Sequence, residues 1–74
     1  MTAKDLILQT ALELFNQLGS ANVTTNHIAK AAGISPGNLY YHFQNKPHII
    51  RELYERMAAD WEAVYAEVEE RTVS

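Results

Sequence analysis

The residues of this chain whose types and spacing best suit chemistry at a surface lie in one short stretch, residues 35–46. The stretch contains three aromatic rings in four residues, Tyr40, Tyr41 and Phe43, with His42 between them. Successive side chains of an α-helix are rotated by about 100°, so three such neighbours cannot all point into a core. At least one ring must therefore face outward, where it can contact another molecule.

Helical geometry predicts which ring that is. Counted from Leu39, Phe43 lies on the same helical face, and Tyr41 lies nearly opposite, beside Asn38 and Gly37. An asparagine can pair with N6 and N7 of adenine, and a tyrosine can contact a thymine methyl group or a phosphate. A glycine lets the backbone approach a groove closely. This outward face is therefore predicted to contact the base edges of DNA.

Groups that can donate hydrogen bonds to phosphates occur on both sides of this face. They are Thr24, Thr25, Tyr40, His42 and Lys46. The formal net charge of −3 argues against binding to nucleic acid, but the charges are unevenly distributed. Residues 1–50 hold three lysines against two acidic residues, whereas residues 51–74 hold three arginines against seven. No Asp or Glu occurs from residue 14 to residue 51, as expected of a surface that approaches phosphates.

Hydrophobic periodicity and capping residues predict the helices that position these groups. The first helix is predicted over residues 4–18, with Gly19 as a left-handed C-terminal cap. The second begins at Thr24 or Thr25 and ends at residue 33. The third begins at residue 36, after an N-cap at Ser35. The second and third helices then form a helix-turn-helix, whose second helix lies in the DNA major groove.

The fourth helix is predicted to begin near residue 46 or 47 and to continue past residue 68. Its apolar stripe consists of Ile50, Leu53, Met57, Trp61, Val64 and Val68, with Tyr54 and Tyr65 beside it. This stripe is longer than a three-helix core requires. The predicted fold is therefore all-α, a three-helix, homeodomain-like helix-turn-helix bundle over residues 1–46 followed by a long fourth helix over residues 47–74.

A wider set of residues resembles a known family. They are Ile7, Leu8, Ala11, Leu14, Phe15, Gly19, Thr24, Thr25, Ile28, Ala29, residues 32–35, residues 37–43, Asn45 and Lys46. Their identities and spacing resemble the N-terminal DNA-binding domain of the tetracycline-repressor (TetR) family of bacterial regulators. The resemblance covers residues 4 to about 50 without gaps.

The resemblance implies a repressor that binds a palindromic operator in double-stranded DNA as a homodimer. No cofactor is predicted, and the lack of cysteine fits the reducing cytoplasm. It implies phosphate contacts from Thr25, Tyr40, His42 and Lys46, and base contacts from Asn26, Pro36, Asn38 and Tyr41. In the family, a larger all-helical C-terminal domain binds a small-molecule effector and forms the dimer. Most of that domain is absent from this sequence, so residues 47–74 are expected to be the linking helix at its start.

Two residues depart from the family pattern. Pro36 stands where a basic residue is common, which predicts fewer contacts to guanine. Pro47 stands where an acidic residue is common, and with His48 three residues after Asn45 the usual capping box is missing. How rigidly Lys46 is held is therefore left open.

Other classes of function find little support in the sequence. There is no cysteine, no signal-peptide pattern and no apolar run long enough to span a membrane. No catalytic triad or phosphate-binding glycine loop is present, so no catalytic residues are predicted. His48 and Glu52 have the spacing of metal ligands but lack a third partner, so no metal site is predicted either. The remaining alternative is a protein-interaction module that docks through the apolar stripe of the fourth helix.

Overall fold

The computed structural model describes the backbone of residues 1–72 and the side-chain surroundings of residues 1–61. Its helices are α1 (Ala3–Leu18), α2 (Thr25–Ala32), α3 (Pro36–His42) and α4 (Lys46–Thr72). A short 3-10 turn over Ser20–Asn22 connects α1 to α2. No strand occurs in residues 1–72. The structure therefore confirms the predicted all-α fold, with a three-helix bundle followed by a long fourth helix.

The two ends of α1 differ slightly from the prediction. The helix begins one residue earlier because Thr2 caps it, accepting a 3.1 Å hydrogen bond from the Asp5 backbone N–H. The Asp5 carboxylate accepts in return from the Thr2 N–H, which completes a capping box. Gly19 has the expected positive φ of 84°, but its ψ of 141° lies outside the left-handed helical region. The left-handed cap in this fold is Gly33, at the end of α2 (φ 74°, ψ 28°).

The core lies where α1, α2, α3 and the first two turns of α4 meet. It consists of Ile7, Leu8, Ala11, Val23, Ile28, Ala29, Leu39, Phe43, Ile49 and Leu53. Leu39 and Phe43 are fully buried, as their shared helical face predicts. These two side chains hold α3 against the bundle with its opposite face outward.

The stripe predicted on α4 is only partly correct. Ile49, which the prediction omitted, is fully buried and Leu53 is largely buried, whereas Ile50 is half-buried and Met57 is exposed. The inward face is set by where α4 crosses the bundle, so Ile49 and Leu53, one turn apart, make the core contact. The predicted stripe residues Val64, Tyr65 and Val68 lie outside the residues whose side chains are described. None of the helices in the described part of the chain is both long and apolar enough to cross a bilayer.

Among the described side chains, two ion pairs join α1 to α4. Lys4 Nζ lies 3.0 Å from Glu52 Oε1, and Arg56 Nη2 lies 2.9 Å from Asp5 Oδ1. Hydrogen bonding to Arg56, and then to Thr2, lowers the pKa of Asp5. Hydrogen bonding to Lys4 lowers the pKa of Glu52. Both carboxylates are therefore more stable as anions in the folded chain than in the unfolded chain.

These shifts predict how stability depends on pH. Because both folded-state pKa values lie below the ordinary values of 3.8 and 4.5, this contribution is complete above those values. It is lost as the pH falls through the lower, folded-state values. In thermal unfolding followed by circular dichroism, the double variant Asp5→Asn, Glu52→Gln should lose less stability than the unmodified chain between pH 6 and pH 3. If the stability of the two proteins fell equally with pH, these ion pairs would not contribute to the pH dependence.

Candidate nucleic-acid interface

A three-residue turn, residues 33–35, sets α3 against α2. The left-handed Gly33 ends α2, and the Ile34 N–H donates a 3.0 Å hydrogen bond to the Ala29 carbonyl. Ser35 then caps α3, since its hydroxyl accepts a 3.1 Å hydrogen bond from the Asn38 N–H. Pro36 occupies the first helical turn, where its lack of an N–H costs nothing. The cap at Ser35 and the proline at the first helical position were predicted from their residue types.

The outer face of α3 carries most of the residues predicted to contact bases. Tyr41 is 85% exposed, and Pro36, Gly37 and Asn38 are exposed on the same helix. Beyond its own helix, nothing in the described chain lies within 4 Å of where a Cβ at Gly37 would stand. Packing within the domain therefore does not require a glycine there, and the space is open to a ligand. The fifth predicted residue, Asn26, is exposed in the first turn of α2.

A pair of hydroxyl groups links α2 to α3 beside this face. Thr25 Oγ1 and Tyr40 Oη are 2.8 Å apart, and one of them donates to the other. The pair has two hydroxyl protons and uses one internally, so one proton remains for an external acceptor. Thr24 accepts from the His27 N–H at 3.1 Å and likewise keeps its own proton available. Three of the predicted phosphate donors are thus near the start of α2.

Two further predicted phosphate donors are His42 and Lys46. His42 is half-buried, and its ring packs edge-on against that of Tyr41, with centroids 5.1 Å apart. Lys46 Nζ donates to the Ser20 carbonyl at 2.8 Å and to the Val23 carbonyl at 3.1 Å. Lys46 thus meets two backbone oxygens of the connector before α2, where the sequence predicted only a phosphate contact.

The start of α4, where the sequence left the rigidity of Lys46 open, is capped. Asn45 Oδ1 accepts a 2.9 Å hydrogen bond from the His48 N–H, which caps the start of α4. His48 Nδ1 accepts in turn from the Gln44 N–H at 3.2 Å. The histidine therefore substitutes for the acidic residue of a capping box, one residue further back along the chain.

The electrostatic setting of this surface suits an anion. Neither α2 nor α3 contains an acidic residue. The first N–H groups of α2 have no partner within the helix, and its dipole places partial positive charge at that end. Lys30 is exposed in the last turn of α2. The hydroxyl groups, the helix end and the exposed ring together form a surface that can bind a phosphate backbone and reach base edges.

The described residues contain no comparable arrangement for metal binding. His48 Nε2 lies 3.8 Å from Glu52 Oε1, but that carboxylate is paired with Lys4. Among the residues that the structure describes, no three His, Cys, Asp or Glu side chains are grouped to hold a metal ion.

Comparison with known proteins agrees with this geometry. The family model described as bacterial regulatory proteins, tetR family, matches residues 7–53. The HTH-type transcriptional regulator AcrR of Shigella flexneri is 43% identical over 49 residues, covering 66% of this chain and 23% of that protein. The HTH-type transcriptional regulator QacR of Staphylococcus aureus is 40% identical over 62 residues, covering 84% of this chain and 33% of that protein. The chain thus spans about a quarter to a third of these relatives.

Solved structures show the same similarity. A TetR-family transcriptional regulator from Marinobacter aquaeolei VT8 superposes with a TM-score of 0.75 at 57% identity, covering 76% of this chain and 28% of that one. The fatty acid degradation regulator FadR from Bacillus halodurans gives a TM-score of 0.81 at 27% identity, covering 95% of this chain and 38% of that one.

Proposed function

This chain belongs to the tetR family of bacterial regulatory proteins, and we propose that it binds double-stranded DNA through α3 and represses transcription. The observation that carries the proposal is the exposed face of α3. Tyr41 projects from it at 85% exposure, on a helix fixed from behind by the buried Leu39 and Phe43. A small domain gains nothing in stability from a ring in water, so contact with DNA gives Tyr41 its role.

In the proposed complex, α3 lies in the major groove and reads sequence. Asn38 pairs with adenine, and Tyr41 contacts a thymine methyl group or a phosphate. Pro36 and Gly37 allow the helix to approach the bases closely, and Asn26 reaches a base from the first turn of α2. Because Pro36 cannot make the bidentate contact of an arginine or lysine, guanine contributes less to the preferred site.

The phosphate contacts position the domain without specifying sequence. We assign them to Thr24, Thr25, Tyr40 and His42, with a partial contact from Lys46. The spare hydroxyl proton of the Thr25–Tyr40 pair and the start of α2 support this assignment. Lys46 has one ammonium proton beyond the two that it donates to carbonyls.

The biological assembly is a proposal that rests on the family. Residues 1–46 are the DNA-binding unit, and residues 47–74 are the helix that links it to an effector-binding and dimerising domain. Two DNA-binding units in a homodimer then bind the two halves of a palindromic operator in the bacterial cytoplasm. Repression is supported by similarity to proteins such as tetracycline repressor protein class C of Escherichia coli, which is 37% identical over 54 residues.

A second candidate function is docking of a protein partner on α4. The observation that favours it is an apolar groove between α1 and α4, lined by Leu12, Phe15, Ile50, Leu53 and Met57. Docking there would not use Asn38 or Tyr41, whereas DNA binding depends on them.

DNA binding can be tested with the 74-residue chain and a fluorescent duplex of random sequence. Anisotropy should show weak binding, with Kd of roughly 10⁻⁶ to 10⁻⁴ M, because one unit makes few phosphate contacts. The affinity should fall steeply as the salt concentration rises, since bound phosphates release counterions. Nanomolar binding by a monomer would contradict this account of the affinity, and no binding at low salt would contradict the proposed function.

A further inference from the structure

We propose that Lys46 serves DNA binding as a positioning residue, whose ammonium group fixes the start of α2 relative to α3. The inference rests on the proposed function and assigns to this lysine a role beyond that of a phosphate contact. Its basis is a set of contacts that the amino-acid sequence did not indicate.

The Lys46 ammonium group is already hydrogen-bonded in the DNA-free domain. Lys46 Nζ donates to the Ser20 and Val23 carbonyls at 2.8 and 3.1 Å, and the side chain is half-buried. The Val23 N–H also donates to the Ser20 carbonyl, at 3.4 Å, so both donors converge on one oxygen. Val23 itself is fully buried. Lys46 thus adds two hydrogen bonds to the turn that leads into α2.

These contacts join the two ends of the helix-turn-helix. Val23 directly precedes Thr24, the N-cap of α2, whereas Lys46 begins α4 shortly after α3 ends. The hydrogen bond between Thr25 and Tyr40 ties α2 directly to α3. Together the two ties fix the hydroxyl groups of α2 and α3 before binding. Binding then costs less ordering of side chains and loops.

The hydrogen-bonding capacity of the ammonium group limits its other role. It has three protons, and two are directed at carbonyl oxygens. The start of α4 is itself fixed by the Asn45–His48 and His48–Gln44 hydrogen bonds. Full engagement with a phosphate would require the side chain to leave the turn. Loss of Lys46 should therefore weaken DNA binding mainly by releasing the turn.

The test compares Lys46→Met with Lys30→Met in the 74-residue chain. Both changes remove one positive charge, but Lys30 is an exposed residue of α2. Amide hydrogen exchange in the DNA-free proteins should rise at Val23 and His27 in Lys46→Met only, because the Val23 N–H bonds within the released turn and the His27 N–H bonds to Thr24, the cap that follows it. The affinity of Lys46→Met for a random duplex should fall at least about fivefold more than that of Lys30→Met. The hydroxyl groups at the start of α2, which donate to the phosphates, are no longer held in position in Lys46→Met.

The salt dependence separates positioning from charge. The log–log salt slope of Lys46→Met should match that of Lys30→Met, because neither variant loses a full phosphate contact. A slope shallower than that of Lys30→Met by about 0.9, with unchanged amide exchange, would show that Lys46 acts as a full phosphate ligand rather than as a positioning residue, and would overturn the proposal. Faster exchange with no extra loss of affinity would also overturn it, because the tie would then not serve DNA binding. Failure of the unmodified chain to bind any duplex would instead reject the proposed function.

The unmodified protein gives a second test, in case Lys46→Met does not fold. In a ¹⁵N NMR spectrum of the lysine ammonium groups, the Lys46 signal should be protected from solvent exchange, unlike that of Lys30. It should stay protected when a random duplex is added. Equal protection of the two lysines in the DNA-free protein, or loss of the Lys46 protection on adding the duplex, would overturn the proposal.

Discussion

Replacing Phe43 with alanine should unfold this domain at room temperature, whereas replacing Tyr41, two residues away, should leave its stability unchanged. Phe43 is fully buried, and the His48 ring and the Lys4 ammonium group pack against it at centroid distances of 5.2 and 5.6 Å. Truncating a buried phenylalanine costs about 3–5 kcal/mol. That is comparable to the entire stability of a domain of this size, about 3–5 kcal/mol.

Tyr41 is 85% exposed, so Tyr41→Ala should change the free energy of unfolding by no more than about 0.5 kcal/mol. Urea denaturation followed by circular dichroism measures the free energy of unfolding of each variant. Phe43→Leu is a matched core control that should retain the fold. Equal destabilisation by Tyr41→Ala and Phe43→Ala would show that α3 is rotated from the orientation described here.

Replacing Asn38 with alanine should remove sequence discrimination while leaving general affinity nearly intact. A bidentate contact to a base is worth about 1–3 kcal/mol of discrimination, which corresponds to a loss of about 5- to 150-fold on the preferred site. Binding to random DNA should change much less, because phosphate contacts dominate it. The Asn38 backbone N–H, which bonds to Ser35, is retained in the variant, so the cap of α3 survives.

The Asn38 experiment requires a preferred site, selected from a random duplex library with an artificially dimerised chain. Asn16→Ala, which removes an exposed amide from α1, is the matched control. It should change neither the affinity for the selected site nor the affinity for random DNA. Circular dichroism first establishes that both variants are folded. An unchanged ratio of specific to random affinity in Asn38→Ala would mean that α3 does not read the sequence through this residue.

The face of α3 was predictable because it depends only on local geometry. The buried pair Leu39 and Phe43 and the exposed Tyr41 follow from a rotation of about 100° per residue. The caps at Thr24 and Ser35 follow from their residue types. These features need no knowledge of how the helices pack.

The features that the sequence did not reveal depend on tertiary contacts. The contact of Lys46 with Ser20 and Val23 involves backbone oxygens 26 and 23 residues away, and a carbonyl oxygen has no residue type to recognise. Burial of Ile49 in place of Ile50 depends on where α4 crosses the bundle. The role of His48 had a local signal, its position four residues after Gln44, but that spacing also fits many exposed histidines.

The most direct test of DNA binding through α3 is a duplex titration that compares Tyr41→Ala with Tyr54→Ala. Both remove an exposed tyrosine, 85% exposed on α3 and 69% exposed on α4. Anisotropy is measured at about 50 and 200 mM salt with a duplex carrying the selected site. The account predicts that Tyr41→Ala lowers the affinity at both salt concentrations, whereas Tyr54→Ala matches the unmodified chain. Unchanged binding by Tyr41→Ala, or loss of binding only in Tyr54→Ala, would contradict DNA binding through α3.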